Sequence, residues 1–285
     1  MFNKIESHEF YLSPTPHIVK DGFMKESFFI EAMSELVAIE SEKRRVWSDL
    51  NKKFMVPKVS APTYCFPNRE GLEKYPMIKR IVEYFDSNLF YEQFINEWSE
   101  YFSSRFTVSS EYVRSRLSEY KLTDLLCDAA GKYVPLRDPH IDTPKAIIGW
   151  QYYCRLPGDK SKGGDLNLYS YKRGFRGFKI KTLADVRYLS DHDIKLEKTI
   201  SYVPNRLVVY LNGVDFVHGI TNRLDAKFSR VRFAGGISSA DSRMVENLVD
   251  SPVWKFFYHP IRFSQRVICK AIKTIGLGST VIPPE

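Results

Sequence analysis

The chain predicts an α+β fold in which helices, concentrated in the first half, pack on antiparallel β-structure formed by the second. Three observations carry that expectation. Apolar residues recur at helical spacing within 16–37 and again over 76–105. Short β-branched and aromatic runs, separated by Gly, Pro, Asp and Asn, dominate after Pro135. The two patterns follow one another without βαβ alternation, which argues against a parallel sheet and for helices laid on a β-sandwich or barrel.

Taken in order, PHIVKDGFMKESFFIEAMSELV reads as a short strand, a Lys-Asp-Gly turn and an amphipathic helix with Phe28, Ile30, Met33, Leu36 and Val37 on its apolar stripe. Residues 47–68 contain Pro57, Pro62 and Pro67 and no sustained period, so a loop with one edge strand is expected there. Residues 76–105 read as helix in one or two pieces. The β-rich runs are 147–156, 163–171, 199–203, 205–212 and 228–237. No internal repeat or Gly/Ser linker divides the chain. A single domain over 1–250 is therefore expected, helix-rich over 1–134 with its β core at 135–240, followed by a basic tail at 251–285.

Of the 285 residues, 44% are hydrophobic and 27% charged, which excludes a disordered chain, a coiled coil and a low-complexity fibre. The net charge of +8 and the 14% aromatic content point to anionic partners of some kind. Cys65, Cys127, Cys154 and Cys269 have no paired spacing and read as reduced core thiols. The first residues lack an apolar signal region, and no window approaches the ~18–20 apolar residues of a membrane span. A cytoplasmic location is expected. Positive charge is densest in YKRGFRGFKIK at 171–181, where Arg173 and Arg176 are candidate substrate contacts. The tail adds Lys255, Arg262, Arg266, Lys270 and Lys273, with Ile268, Ala271, Ile272 and Ile275 as an apolar stripe. It reads first as a terminal helix capping the sheet, and second as a peripheral membrane contact.

The chemistry-bearing motif is Pro139-His140-Ile141-Asp142-Thr143-Pro144. In an extended segment residues i and i+2 share a face, so His140 and Asp142 can close on one metal ion. His218, after the run NRLVVYLN, is the candidate third ligand. Two imidazoles and one carboxylate leave three positions of an octahedral ion open, the donor set of non-haem Fe(II) oxygenases. Alone, a His-x-Asp is a common turn or surface pair; the ordered surround gives it weight.

With that surround, the sequence resembles the iron(II)- and 2-oxoglutarate-dependent oxygenase superfamily, in particular its prolyl-hydroxylase-like branch. The resemblance covers 135–240 and the opening strand-turn-helix pattern, and leaves 40–130 and the tail without specific motifs. It implies a double-stranded β-helix of the jelly-roll or cupin type. It also implies Fe(II) at His140, Asp142 and His218, with 2-oxoglutarate and O2 as cosubstrates and ascorbate as a supporting reductant. Tyr152 in WQYYC matches the family tyrosine that binds the distal carboxylate of oxoglutarate, with Tyr153 the adjacent alternative. Gly163-Gly164 and Phe216-Val217-His218-Gly219 match the motifs that follow. Arg230, 12 positions after His218, matches the basic residue that pairs with that carboxylate; Arg223 and Arg232 are the other candidates, because NRLDAK reads as an insertion. An arginine fork suits a carboxylate and stays charged.

Asp142 stands where family halogenases carry a small residue, which argues against halogenation. Gly236 stands where the nucleic-acid demethylases carry a second arginine, which argues against a nucleic-acid substrate. The expected activity is hydroxylation of an unactivated C–H in an anionic small molecule or glycan-type substrate, with succinate and CO2 as coproducts. The alternatives are a prolyl or other protein side-chain hydroxylase, and a non-catalytic binding protein on the same fold.

Overall fold

The computed structural model describes residues 1–50, 63–65, 69–106, 109–116, 121–128, 130–142, 146–172, 189–213 and 216–238. Strands β1 (Phe10–Tyr11) and β2 (His17–Asp21) lead through a turn at Gly22 into helix α1 (Glu26–Leu50), as the opening pattern predicts. The buried stripe of α1 is Phe29, Ala32, Met33, Leu36 and Ile39, whereas Ile30 is 58% and Val37 42% exposed. Both registers offer an apolar face; the one selected also turns Glu40 inward, where its carboxylate accepts from the Ser229 N–H at 3.0 Å.

The second helical region is three helices, α2 (Pro76–Asp86), α3 (Asn88–Ile95) and α4 (Ser99–Phe106), followed by α5 (Ser110–Arg116). Pro76 suits the first helical position, and α2 has no side-chain cap from its own N-terminal residue. The Glu35 carboxylate of α1 accepts instead from the Met77 and Ile78 N–H groups, at 3.0 and 2.9 Å, satisfying donors a helix start leaves open. Ser87 breaks α2 from α3, its hydroxyl accepting from the Phe90 N–H. The expected edge strand in the proline-bearing region is β3 (Thr63–Cys65).

β-Structure resumes earlier than Pro135, with β4 (Lys121–Asp128) and β5 (Gly131–Val134). It continues through β6 (Ala146–Tyr153), β7 (Leu166–Tyr171), β8 (Ile194–Ile200) and β9 (Arg206–Leu211). The last strands are β10 (Val217–Ile220), β11 (Arg223–Ala226) and β12 (Arg230–Ser238). The strand expected at 199–203 overlaps β8 only at Thr199 and Ile200; β8 lies earlier and stops there, where the Tyr202 N–H donates to Asp165 Oδ1 at 2.7 Å rather than to a strand. Within NRLDAK, Arg223–Ala226 is no loose insertion but β11, paired with β5.

Seven strands form one antiparallel sheet in the order β1-β2-β9-β6-β12-β4-β3; three more form a second, β10-β7-β8. Helices cover the outer face of the large sheet, where Phe85 stacks on Trp150 with centroids 4.2 Å apart and Phe23, Phe90, Phe94 and Phe233 complete an aromatic layer. On its inner face Tyr153, Val208 and Tyr210 pack against Leu166, Leu168 and Ile200 of the small sheet. β6 is thus covered on both sides and buried along nearly its whole length. Among the described residues no helix is long and apolar enough to cross a membrane. Cys154 is buried and forms no disulfide. The tail at 251–285 lies outside the described residues.

Candidate metal centre

The backbone brings the two histidines together. The segment leaving β5 runs antiparallel to the one holding β10 and β11: the Ile220 N–H donates to the Arg137 carbonyl at 2.8 Å. His140 and His218 exchange both backbone hydrogen bonds, at 2.8 and 2.9 Å. Their rings are held 4.3 Å apart. The approach requires glycine after His218, since a Cβ on Gly219 would lie 3.0–3.3 Å from the backbone of Pro139 and Arg137.

His140, Asp142 and His218 offer ligand atoms that all lie within 4.8 Å of one another. His140 Nδ1 contacts the Asp138 carbonyl at 2.7 Å and His218 Nδ1 the Phe216 carbonyl at 3.4 Å. A carbonyl only accepts, so each Nδ1 carries the proton and each Nε2 presents its lone pair. The Nε2 atoms lie 3.5 Å from Asp142 Oδ1 and 3.7 Å from Oδ2. Burial, opposed by Asp142 and aided by His140 and Arg137, lowers the His218 pKa to about 4, so its ring is neutral at pH 7. Burial would raise the Asp142 carboxyl, but His218, His140 and Arg137 outweigh it and hold the group well below the ordinary carboxylate range. Two imidazoles presenting Nε2 and one carboxylate fit a divalent transition metal of the iron type, with no thiolate to favour zinc. Among the described residues no other such group occurs.

Two further groups support Asp142, and neither was expected from the sequence. The Tyr210 hydroxyl donates to Oδ2 at 3.3 Å, and the Arg137 guanidinium lies 3.6 Å from Oδ1. Tyr210 reaches Asp142 because its ring lies over Gly149, where a Cβ would come within 2.3–2.6 Å of the ring. Phe216 stacks on the other side at 4.2 Å. The sequence signal available for Tyr210 was the glycine opposite it, legible only once the β6–β9 register is known.

Deeper between the sheets lies a cluster of cations. Tyr153, Arg232 and Arg206 occupy one cross-strand row, four residues along β6 from the Gly149–Tyr210 row, roughly 13 Å at a strand's rise. Arg230 is buried and fully engaged: Nε donates to the Gly164 carbonyl at 2.9 Å, Nη1 to Asp128 at 3.1 Å and Nη2 to Gln151 at 3.5 Å. Its guanidinium also lies 5.1 Å from the Tyr153 and Tyr202 ring centroids. Arg232 donates to the same Asp128 oxygen and is 13% exposed. Arg232 Nε and the Tyr153 hydroxyl are buried without a hydrogen-bond partner. Burial raises the Tyr153 pKa, so the hydroxyl keeps its proton as a donor. Two guanidinium groups on one carboxylate leave a buried positive charge that calls for an anion.

These positions correct two expectations. Tyr152 faces the helical layer: its ring packs on Phe23 and Phe85, and its hydroxyl donates to Asn205 at 2.9 Å. Pleating sends Tyr153 to the inner face instead. Arg230 is on the inner face but has no fork left for a ligand, whereas Arg232, one pleat repeat nearer the triad, does. Arg223 lies beside Arg230 at Gly164, with its guanidinium on Asp159, Ser161 and the Phe228 carbonyl. Arg173 and Arg176 lie outside the described residues.

No family model and no curated protein matches the chain. Solved structures similar to it include a prolyl 4-hydroxylase from Phytophthora capsici, at 14% identity and a TM-score of 0.44, covering 83% of this chain and 60% of that one. A Pseudomonas putida prolyl-4-hydroxylase is similar at 12% identity and a TM-score of 0.41, over 79% of this chain and 93% of that one. A Trichoplax adhaerens prolyl hydroxylase, in complex with a hypoxia inducible factor oxygen degradation domain peptide fragment, is similar at 11% and 0.39, over 80% and 85%. The chain thus spans about three fifths of the length of the Phytophthora protein.

Proposed function

We propose that the chain is an Fe(II)- and 2-oxoglutarate-dependent oxygenase on a double-stranded β-helix formed by the two facing sheets. The observation that carries this reading is the buried His140, Asp142 and His218 triad, with both Nε2 atoms turned to one carboxylate. When bound, Fe(II) with 2-oxoglutarate and O2 supplies the two-electron oxidation of an unactivated C–H bond, leaving an alcohol, succinate and CO2. His140 and His218 hold the metal through Nε2 and Asp142 through its carboxylate. Tyr210 fixes the carboxylate's rotation, while Tyr210 and Phe216 keep water from the histidine side.

Arg232 and Tyr153 receive the distal carboxylate of oxoglutarate; the unpartnered Nε and hydroxyl support this assignment. Asp128 holds Arg232 in place. The substrate is an anionic small molecule or glycan-type compound, in keeping with the chain's positive charge. The deciding experiment incubates the full chain with Fe(II), ascorbate, 2-oxoglutarate and a substrate panel, and measures succinate beside metal binding by calorimetry. Wild type is expected to bind one divalent ion and to form succinate, and His218→Ala to do neither. Equal behaviour of the two proteins would sink the reading.

A further inference from the structure

Solvent reaches the triad from one side. The side chains of His140 and His218 are 1% and 3% exposed, that of Asp142 20%. Arg137 stands on that open side, 37% exposed, with Nη1 3.6 Å from Asp142 Oδ1. Its position is built, because the Arg137 carbonyl accepts from Ile220, two residues past His218. One pair of backbone segments therefore carries both histidines and this guanidinium.

The contact with Asp142 is an ion pair too long for a hydrogen bond. Among the described residues no protein acceptor lies within hydrogen-bond distance of the Arg137 side chain, which has five donors. A divalent cation on Asp142 shares that carboxylate's charge and weakens the attraction holding Arg137. The loaded centre then has two cationic poles. The deep one, Arg232 beside Arg230 and Asp128, suits the cosubstrate; the rim one has no role in that binding.

We propose that Arg137 receives an oxyanion, carboxylate or phosphate, of the prime substrate, so that the oxidised C–H lies a few bonds from that group. The inference rests on the oxygenase reading and adds the substrate's anchoring chemistry to it. A planar fork at the mouth pairs with either oxyanion in two-point fashion and would hold the neighbouring carbon over the solvent-exposed side of the triad.

The test loads the full chain with Mn(II) and 2-oxoglutarate and titrates it with N-acetylated amino acids, their neutral amides and O-phosphoethanolamine, reading binding by calorimetry and by water relaxation at Mn(II). The carboxylate or the phosphate probes are expected to bind at least tenfold more tightly than the amides, and whichever does identifies the oxyanion. Arg137→Met should erase that preference and Arg137→Lys should keep part of it, each read at saturating Mn(II). Equal binding of amides and oxyanions overturns the proposal, as does a preference that survives Arg137→Met, loss of Mn(II) binding in both variants, or no probe bound to the Mn(II)-loaded wild type. Failure of wild type to bind Mn(II) better than His218→Ala would instead count against the oxygenase reading.

Discussion

The two faces of β6 meet different neighbours. Toward the helices, Trp150 and Tyr152 stack among phenylalanines, and each polar atom has a partner: Trp150 Nε1 donates to the Tyr91 hydroxyl at 3.1 Å and the Tyr152 hydroxyl to Asn205 at 2.9 Å. Toward the small sheet, Gly149, Gln151 and Tyr153 give no ring, an amide and a phenol whose hydroxyl has no partner, across from Arg232 with its unpartnered Nε. One face is a packing surface with its polar atoms satisfied. The other leaves donors waiting, and buried unsatisfied donors in a native fold ask for a ligand.

Breaking the outer face should give the largest effect. Trp150→Ala removes a buried indole and is expected to cost about 3–5 kcal/mol of stability in denaturant titrations. The protein that stays folded should bind metal as wild type does. Weaker metal binding in that folded fraction would mean the faces are coupled.

On the inner face the two arginines should separate. Arg232→Leu is expected to weaken oxoglutarate binding by about 1.5–3 kcal/mol, the value of a hydrogen bond to a charged group, or roughly tenfold to a hundredfold. Metal affinity should hold. Arg230→Leu should act first on stability, because Asp128, Gly164 and Gln151 all lose a donor. If Arg230→Leu alone raised the oxoglutarate requirement, the anchoring role would move to Arg230.

Gly149→Ala tests the glycine that lets Tyr210 lie across β6. The added methyl must displace the ring, at a cost of about 1–3 kcal/mol for overpacking. Tyr210 then leaves Asp142, and metal affinity measured by calorimetry should fall severalfold. An unchanged affinity would show that Asp142 needs no support from Tyr210. The smallest and sharpest comparison is Tyr152→Phe against Tyr153→Phe. Losing the outer hydroxyl should cost about 1 kcal/mol of stability and leave oxoglutarate binding alone. Losing the inner one should leave stability near wild type and weaken oxoglutarate binding. The reverse pattern would exchange the roles of the two tyrosines.

The triad was legible because its signal is local in chemistry: His140 and Asp142 are two residues apart, and His218 follows a strong strand pattern. The first helix was legible in extent of pattern but not in rotation, since Ile30 and Val37 are as apolar as the residues that face the sheet. β4, β5, β11 and most of β8 lie outside the strand pattern read from the sequence; they are polar or charge-rich runs whose strand character comes from their partners, Arg223–Ala226 above all. Arg137 stood three residues before His140 with nothing in its spacing to mark it, and its meeting with Asp142 depends on the course of the backbone between them.

What the sequence determined by itself was the set of groups: two imidazoles and a carboxylate for a metal, adjacent tyrosines, and a run holding Arg230 and Arg232. What only the tertiary structure decided was which member of each pair faces the site. A strand buried on one face shows its parity as an alternation of apolar and polar residues. β6 lies between the helices and the small sheet and is buried from Ile147 to Tyr153, so no alternation in water exposure distinguishes Tyr152 from Tyr153. Parity there follows from pairing with β9 and β12, and the free fork of Arg232 follows from Asp128, a residue more than a hundred positions away that holds both arginines.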